Sequence, residues 1–313
     1  MPTTQISGKL GQAAKDVLRT LLYFDLFSYP LTLEEIYNAS TIGELSESQF
    51  RQAVNHLEAA GYIFQNEHLW GLHPDHPFHH RRLSGNQMAA KYLPVARRIS
   101  RYIGAFPFVR AVFLSGSISK HCMTPGADID YFIITEPRRL WVARTMLVLF
   151  KKIFLLNSHK YFCVNYFIDT DHLEIEEKNQ FTATEIVHLI PTYGREFYDP
   201  FRESNRWTAA YFPRFSSRYD HDIPASQVRG IKWLGEKVLS GKLGEWLDSY
   251  LMKKTIGFWN RKFRFMGQKE IDIALKSRTY VSKHHPQNFQ ARVLEGLKQK
   301  IADFEQKHGI ELH

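Results

Sequence analysis

The chain has 313 residues, 44% of them hydrophobic and 23% charged, a globular composition that excludes a disordered chain, a collagen-like repeat and a disulfide-stapled scaffold. That length accommodates two or three domains, each large enough to bury a core. The formal charge of +9 is uneven: residues 1–100 and 101–200 each balance, whereas residues 201–313 carry 21 Lys and Arg against 12 Asp and Glu.

A localised basic excess points to a surface that meets a polyanion. Its densest part is Lys253, Lys254, Arg261, Lys262 and Arg264, interleaved with Phe258, Trp259, Phe263 and Phe265. That mixture suits the phosphates and stacked bases of a nucleic acid; it also fits a helix with a solvated basic face and a buried aromatic one. Cys122 and Cys163 stand in no metal or redox spacing, so a reducing, cytoplasmic setting is expected. The first residues lack the basic flank and apolar stretch of a signal peptide. The most apolar window, residues 140–156, is broken by Arg144, Lys151 and Lys152, so no membrane partner is expected.

In chain order, residues 10–26 have helical apolar spacing and end at the Ser28-Tyr29-Pro30 breaker. Thr32 with Glu35, and Ser46 with Gln49, match the capping box, in which two side chains satisfy orphan amides at a helix start. The second of these helices carries Phe50, Val54 and Leu57 on one stripe and stops at Gly61. Tyr62-Ile63-Phe64, a polar turn at 65–68 and Leu69-Trp70 then read as a hairpin. Helix, helix, helix, hairpin is the order of a winged helix-turn-helix over residues 1–85. Its presumed recognition helix offers Arg51 against Glu47 and Glu58, a poor match to DNA; a protein-contact module or a cap on the neighbouring domain fits better. The histidine-rich run at 73–80 contains two prolines and reads as an extended linker rather than a zinc site.

Residues 86–107 are helical again, with Pro94 at a start or kink. An alternating segment follows, with strands at 109–114, 129–134 and 161–168, a short helix at 117–122 and a long one at 138–156. Past Gln180 the chain reads as mostly helical, apart from a loop-rich stretch at 193–223. The expected fold is α+β: a mixed-sheet core at 86–200 between the 1–85 unit and a basic, mainly helical region at 201–313.

The stretch most informative about chemistry is an apolar strand that runs into Gly116 and Ser117 and opens a helix. Glycine admits close backbone approach, and free amides at a helix start attract phosphate. Ser117 adds a hydroxyl, and Lys120 a cation one turn on. Asp128 and Asp130 follow at i and i+2, a strand spacing that aims both carboxylates at one point. Two such carboxylates repel unless a cation lies between them, and their hard oxygens suit Mg²⁺ or Mn²⁺ together with substrate phosphates.

A strand, Gly-Ser, a short helix and Asp-x-Asp on the next strand resemble the DNA polymerase β-like nucleotidyltransferase superfamily over roughly residues 87–200. The resemblance implies a nucleoside triphosphate as partner, metal ions on Asp128 and Asp130, and the triphosphate on Gly116 and Ser117. It also implies transfer of a nucleotidyl group to an acceptor hydroxyl with release of pyrophosphate. The family places a third carboxylate on a later strand, where this chain has Asn165, whose amide has no charge and takes no proton at neutral pH. Asp169 shares the strand parity of Asn165 (165, 167, 169) and is the expected substitute. Two readings follow: a working transferase that uses Asp169, or a degenerate core that binds nucleotide as a regulator. A plain DNA-binding regulator would leave Asp128 and Asp130 unexplained. Of the remaining candidates, Glu174, Glu176 and Glu177 read as a solvated turn, His188 as a satisfied core histidine, and Cys163 as a lining residue on the face of Asn165.

Overall fold

A computed structural model describes residues 10–74, 78–156, 158, 160–215 and 223–312. The N-terminal unit is built from α1 (Gln12–Asp25), α2 (Leu33–Asn38), α3 (Glu47–Ala59), β1 (Phe64–Asn66) and β2 (Leu69–Gly71). Both capping boxes form: the Thr32 side chain accepts from the Glu35 amide while Glu35 reaches back, and Ser46 and Gln49 do the same for α3. Val17, Leu18, Leu21 and Leu22 of α1 meet Phe50, Val54 and Leu57 of α3 in a closed apolar core. Arg51 is held by Glu47 in an exposed pair at 2.7 Å.

Next comes α4 (His79–Gly104), with Pro94 inside it. Of the histidine-rich run, residues 75–77 lie outside the described residues, and His79 and His80 open α4 instead of continuing a linker. The sheet elements follow: β3 (Val109–Ser115), α5 (Gly116–Ser119), β4 (Asp130–Thr135), α6 (Leu140–Phe154), β5 (Cys163–Asp169), α7 (Gln180–Val187) and β6 (Ile190–Tyr193). The C-terminal third contains α8 (Tyr198–Ser204), α9 (Gly230–Leu239), α10 (Lys242–Lys262), α11 (Gln268–Ala274), β7 (Ser277–Arg278), β8 (Val281–Lys283) and α12 (Phe289–His308).

Six strands form one mixed sheet in the order β6-β3-β4-β5-β8-β7, in which β4 and β5 run parallel and the other neighbours antiparallel. The fold is α+β. Strand alternation splits the core into two layers. Val112, Leu114, Tyr131, Ile133 and Phe167 face the layer of α4, α6 and α10, with Trp141 and Trp259 in it. Ala111, Phe113, Phe132, Ile134 and Ile168 face the other side, where Tyr198 and Phe201 of α8 cover them.

The C-terminal third is not a separate helical region. Strands β7 and β8 extend the sheet beyond β5, and α12 buries Val293 in the N-terminal core, with Leu297, Ile301 and Phe304 packed against it. Short strands of two to four residues carry too little alternation to be read from sequence, which is why β6, β7 and β8 were not anticipated. Within the expected loop-rich stretch, residues 216–222 lie outside the described residues.

Candidate functional site

The antiparallel register of β3 and β4 places Ser115 opposite Asp130, so the Gly116-Ser117 turn begins beside the Asp130 carboxylate. Gly116 adopts φ +69°, in the left-handed region, and a Cβ added there would overlap Asp130 Oδ2. Glycine is therefore required twice, by the backbone and by the space. α5 is a single four-residue turn, so its dipole is small, and what it offers an anion is backbone amides and the half-buried Ser117 hydroxyl.

Asp130 is partly buried, and its Oδ1 accepts a hydrogen bond from Asn165 Nδ2 at 3.1 Å. Burial pushes its pKa up to about 6; Asp128 and Glu185 add to the rise, while bonds from Cys163 and Asn165 oppose it. Asp128 lies two residues earlier and is half-buried. Asn165 Nδ2 also lies 3.5 Å from Cys163 Sγ, and burial raises the Cys163 thiol well above its ordinary value, so the thiol stays protonated at neutral pH.

Asn165 is the extra residue of a β-bulge. Tyr131 pairs with Val164 and Phe132 with Tyr166, which leaves Asn165 between them. The bulge keeps Cys163 and Asn165 on the face of Asp130 and then switches parity, so Tyr166 stacks on Phe132 with ring centroids 5.0 Å apart, and Phe167 turns to the opposite layer. This overturns the parity argument for Asp169, which sits on the side of Phe167. Asp169 also pairs with Thr135, five residues along β4 from Asp130, or roughly 17 Å away. Its Oδ1 accepts from the Asp171 amide at 3.1 Å and meets His172 Nδ1 at 2.7 Å. Asp169 therefore closes a turn at the far end of β5.

Lys120 is brought in as expected, and it is already engaged. Its Nζ donates to the Gly116 carbonyl at 3.0 Å and to Glu185 Oε2 at 2.9 Å. Glu185 was missed in the sequence, although it is the only charged residue of α7, whose sequence is QFTATEIV. A lone acid in an apolar helix must find a polar partner once the helix is packed, and here that partner is Lys120. Lys151, buried in the last turn of α6, is a second omission: Asp128 and Cys163 are close enough to bias its titration, though burial dominates and lowers its pKa. His188 is the expected satisfied histidine, with Nδ1 2.8 Å from the Thr184 carbonyl and burial lowering its pKa to about 4.

The N-terminal unit bonds directly to the elements that carry the site. Tyr29 Oη donates to the Lys120 carbonyl at 2.9 Å, and Tyr23 Oη donates to Thr184 Oγ1 on α7 at 2.9 Å. Arg82 stacks over Tyr29 at 3.8 Å and pairs with Glu35 at 2.6 Å, joining the start of α4 to α2.

Among the described residues, no three His, Cys, Asp or Glu side chains are grouped to enclose a metal ion. A structural zinc cage is therefore not built there. The pair Asp128 and Asp130 is nevertheless a fitting partial donor set for a magnesium-like ion, which accepts one or two carboxylates and fills its remaining positions with water and phosphate oxygens. The raised Asp130 pKa comes first from burial, with the neighbouring Asp128 charge a smaller contribution.

Of the basic and aromatic run, Trp259 and Phe263 are buried in the core, whereas Phe258 and Phe265 are exposed among Arg261, Lys262 and Arg264. The buried aromatic face expected of this run thus holds for Trp259 and Phe263 but not for Phe258 and Phe265. No protein-family model matches the chain, and neither a curated protein nor a solved structure matches it.

Proposed function

We propose that the chain is a nucleotidyltransferase of the DNA polymerase β-like kind, with residues 86–200 as its core and residues 1–85 as a winged-helix unit. The observation that carries this reading is the Ser115–Asp130 register, which sets a glycine-hinged turn against Asp130, the second carboxylate of the Asp128-x-Asp130 pair and the first residue of β4. In this reading the Gly116-Ser117 backbone and hydroxyl hold the triphosphate, and Lys120 neutralises part of its charge. Asp128 and Asp130 hold Mg²⁺ or Mn²⁺. The ion would supply charge neutralisation on the phosphates and activation of the acceptor oxygen. Asn165 donates to Asp130 Oδ1, which orients that carboxylate and leaves Oδ2 facing the glycine turn. Glu185 keeps Lys120 extended across the turn. The acceptor hydroxyl would attack the α-phosphorus, its proton passing to water, as the bond to the pyrophosphate oxygen breaks and pyrophosphate leaves.

A second reading, a nucleotide-binding regulator, draws support from two observations. Asn165 carries no charge where a third acid would stand, and Tyr29 and Tyr23 tie the N-terminal unit to the turn and helix of the site. Pyrophosphate release from each of the four nucleoside triphosphates, with Mg²⁺ or Mn²⁺ and with RNA or small-molecule acceptors, separates the two. Release by the native chain that disappears in Asp128→Ala/Asp130→Ala is the result expected of a transferase. Saturable triphosphate binding without release would replace it with the regulator, and turnover retained in the double variant would remove both carboxylates from the reaction.

A further inference from the structure

Helix α9 is built inside out. Lys232, 2% exposed, donates its ammonium protons to the Gly104 carbonyl at 2.9 Å and the Val109 carbonyl at 2.6 Å. One turn on, Glu236 accepts from the Phe108 amide at 2.7 Å and from Arg110 at 2.8 Å and 3.2 Å. Lys232 and Glu236 thus point into the protein, and Ile231, Leu234 and Val238 point out, Ile231 being 85% exposed. A helix at an ordinary solvent-facing position has the reverse arrangement. Helix α10 continues the pattern with Leu243, Trp246 and Tyr250 at i, i+3 and i+7; Trp246 is 62% exposed, and its ring stacks on Tyr250 at 5.5 Å. The elbow between the helices is fixed by Arg139, which donates to the carbonyls of Leu239, Ser240 and Gly241.

The charges around this face are mainly basic. The acids of α9 and α10 are Glu236, Glu245 and Asp248. Glu236 is paired inward as described, Asp248 Oδ1 accepts from the Val142 amide at 2.9 Å, and Glu245 lies 3.5 Å from Arg138. Lys237, Lys242, Lys253 and Lys254 are exposed, with Lys237 over the Trp233 ring at 4.9 Å and Lys254 over Tyr250 at 5.5 Å. An aliphatic centre, flanking Trp and Tyr and a lysine rim match the layers of an anionic bilayer surface: acyl boundary, headgroup level and phosphate.

We propose that the outer face of α9 and the first half of α10 docks on an anionic lipid surface. The association is peripheral, since among the described residues no helix is long and apolar enough to cross a membrane. It replaces the sequence expectation of no membrane partner, and it does not depend on the transferase reading. Charge favours lipid over a second copy, because two such faces would oppose lysine rim to lysine rim. Aliphatic content favours lipid over nucleic acid, because bases stack on aromatic rings and not on Ile231, Leu234, Val238 and Leu243.

Vesicle flotation of the full chain tests the proposal. The chain is expected to float with vesicles containing phosphatidylglycerol, to stay behind with pure phosphatidylcholine, and to be released by salt. Leu234→Glu/Trp246→Glu is expected to abolish flotation. Lys253→Gln/Lys254→Gln, a milder change, is expected to weaken it about thirtyfold. Because these side chains are exposed, unchanged thermal unfolding confirms that both variants fold. No flotation with anionic vesicles, or equal flotation with neutral ones, would overturn the proposal. So would a dimer that Leu234→Glu/Trp246→Glu dissociates without any vesicle binding, or RNA binding lost in that variant under the same condition.

Discussion

Gly116 and Asp130 occupy space that only a glycine leaves open: the missing Cβ of the one is where the carboxylate of the other lies. Strand pairing creates this contact, because Ser115 and Asp130 are partners in the β3–β4 ladder. The turn and the carboxylate are consequently one structural unit, and disturbing either is expected to disturb both.

Gly116→Ala tests that unit. The left-handed φ costs a residue with a Cβ on the order of 1 kcal/mol, and displacement of Asp130 adds to it. The expected result is a loss of about 1–3 kcal/mol in denaturant unfolding, with weaker Mn²⁺ binding by calorimetry. Native stability and native affinity together would show that the two residues do not contact each other.

Asp130→Asn is expected to stabilise the cation-free protein. Asp130 has a folded pKa of about 6 against 3.8 for an ordinary aspartate, so the folded state holds the extra proton between those values. Its contribution is therefore least unfavourable below about pH 4, worsens as pH rises to about 6, and stays unfavourable above. The asparagine variant should gain on the order of 2–3 kcal/mol at pH 7 to 8, and the gain should vanish near pH 4. Thermal unfolding across that range reads the difference. A variant less stable than native at pH 8 would mean that the carboxylate is already neutralised within the fold.

Asn165→Asp supplies the third acid that the proposed transferase reading lacks. Without a divalent cation it adds a third negative group beside Asp130 and Asp128, so it should lower the unfolding temperature above pH 6. With Mg²⁺ or Mn²⁺ it should raise that temperature by more than the native chain gains, because a ligand that binds only the folded state stabilises it by mass action. Equal metal-induced shifts in both proteins would place Asn165 outside the cation's reach.

Arg139→Ala removes the cross-link from the start of α6 to the α9–α10 elbow, leaving the Leu239, Ser240 and Gly241 carbonyls without this donor. Lost charge-assisted bonds of this kind cost about 2–4 kcal/mol in total. Hydrogen exchange should accelerate along α9 and the start of α10, and remain slow in β3 and β4. Uniform acceleration would mean that these helices unfold only with the sheet.

The local parts of the fold were legible because short-range chemistry specifies them. Thr32 with Glu35 and Ser46 with Gln49 mark helix starts within four residues, and the Gly116-Ser117 turn and Asp128-x-Asp130 spacing lie in one continuous stretch. The α+β class and the meeting of Gly116 with Asp130 follow from those segments and the alternation of the strands that hold them. Tertiary structure decided the rest of the site. The bulge at Asn165 reverses strand parity and removes Asp169, and a bulge depends on the neighbouring strand, not on the residue itself. Glu185 joins Lys120 across 65 residues, and α12 enters the N-terminal core from the other end of the chain. Periodicity says which side of a helix is apolar. Only packing says whether that side faces the core, and α9 turns its own outward because Lys232 and Glu236 are bonded within.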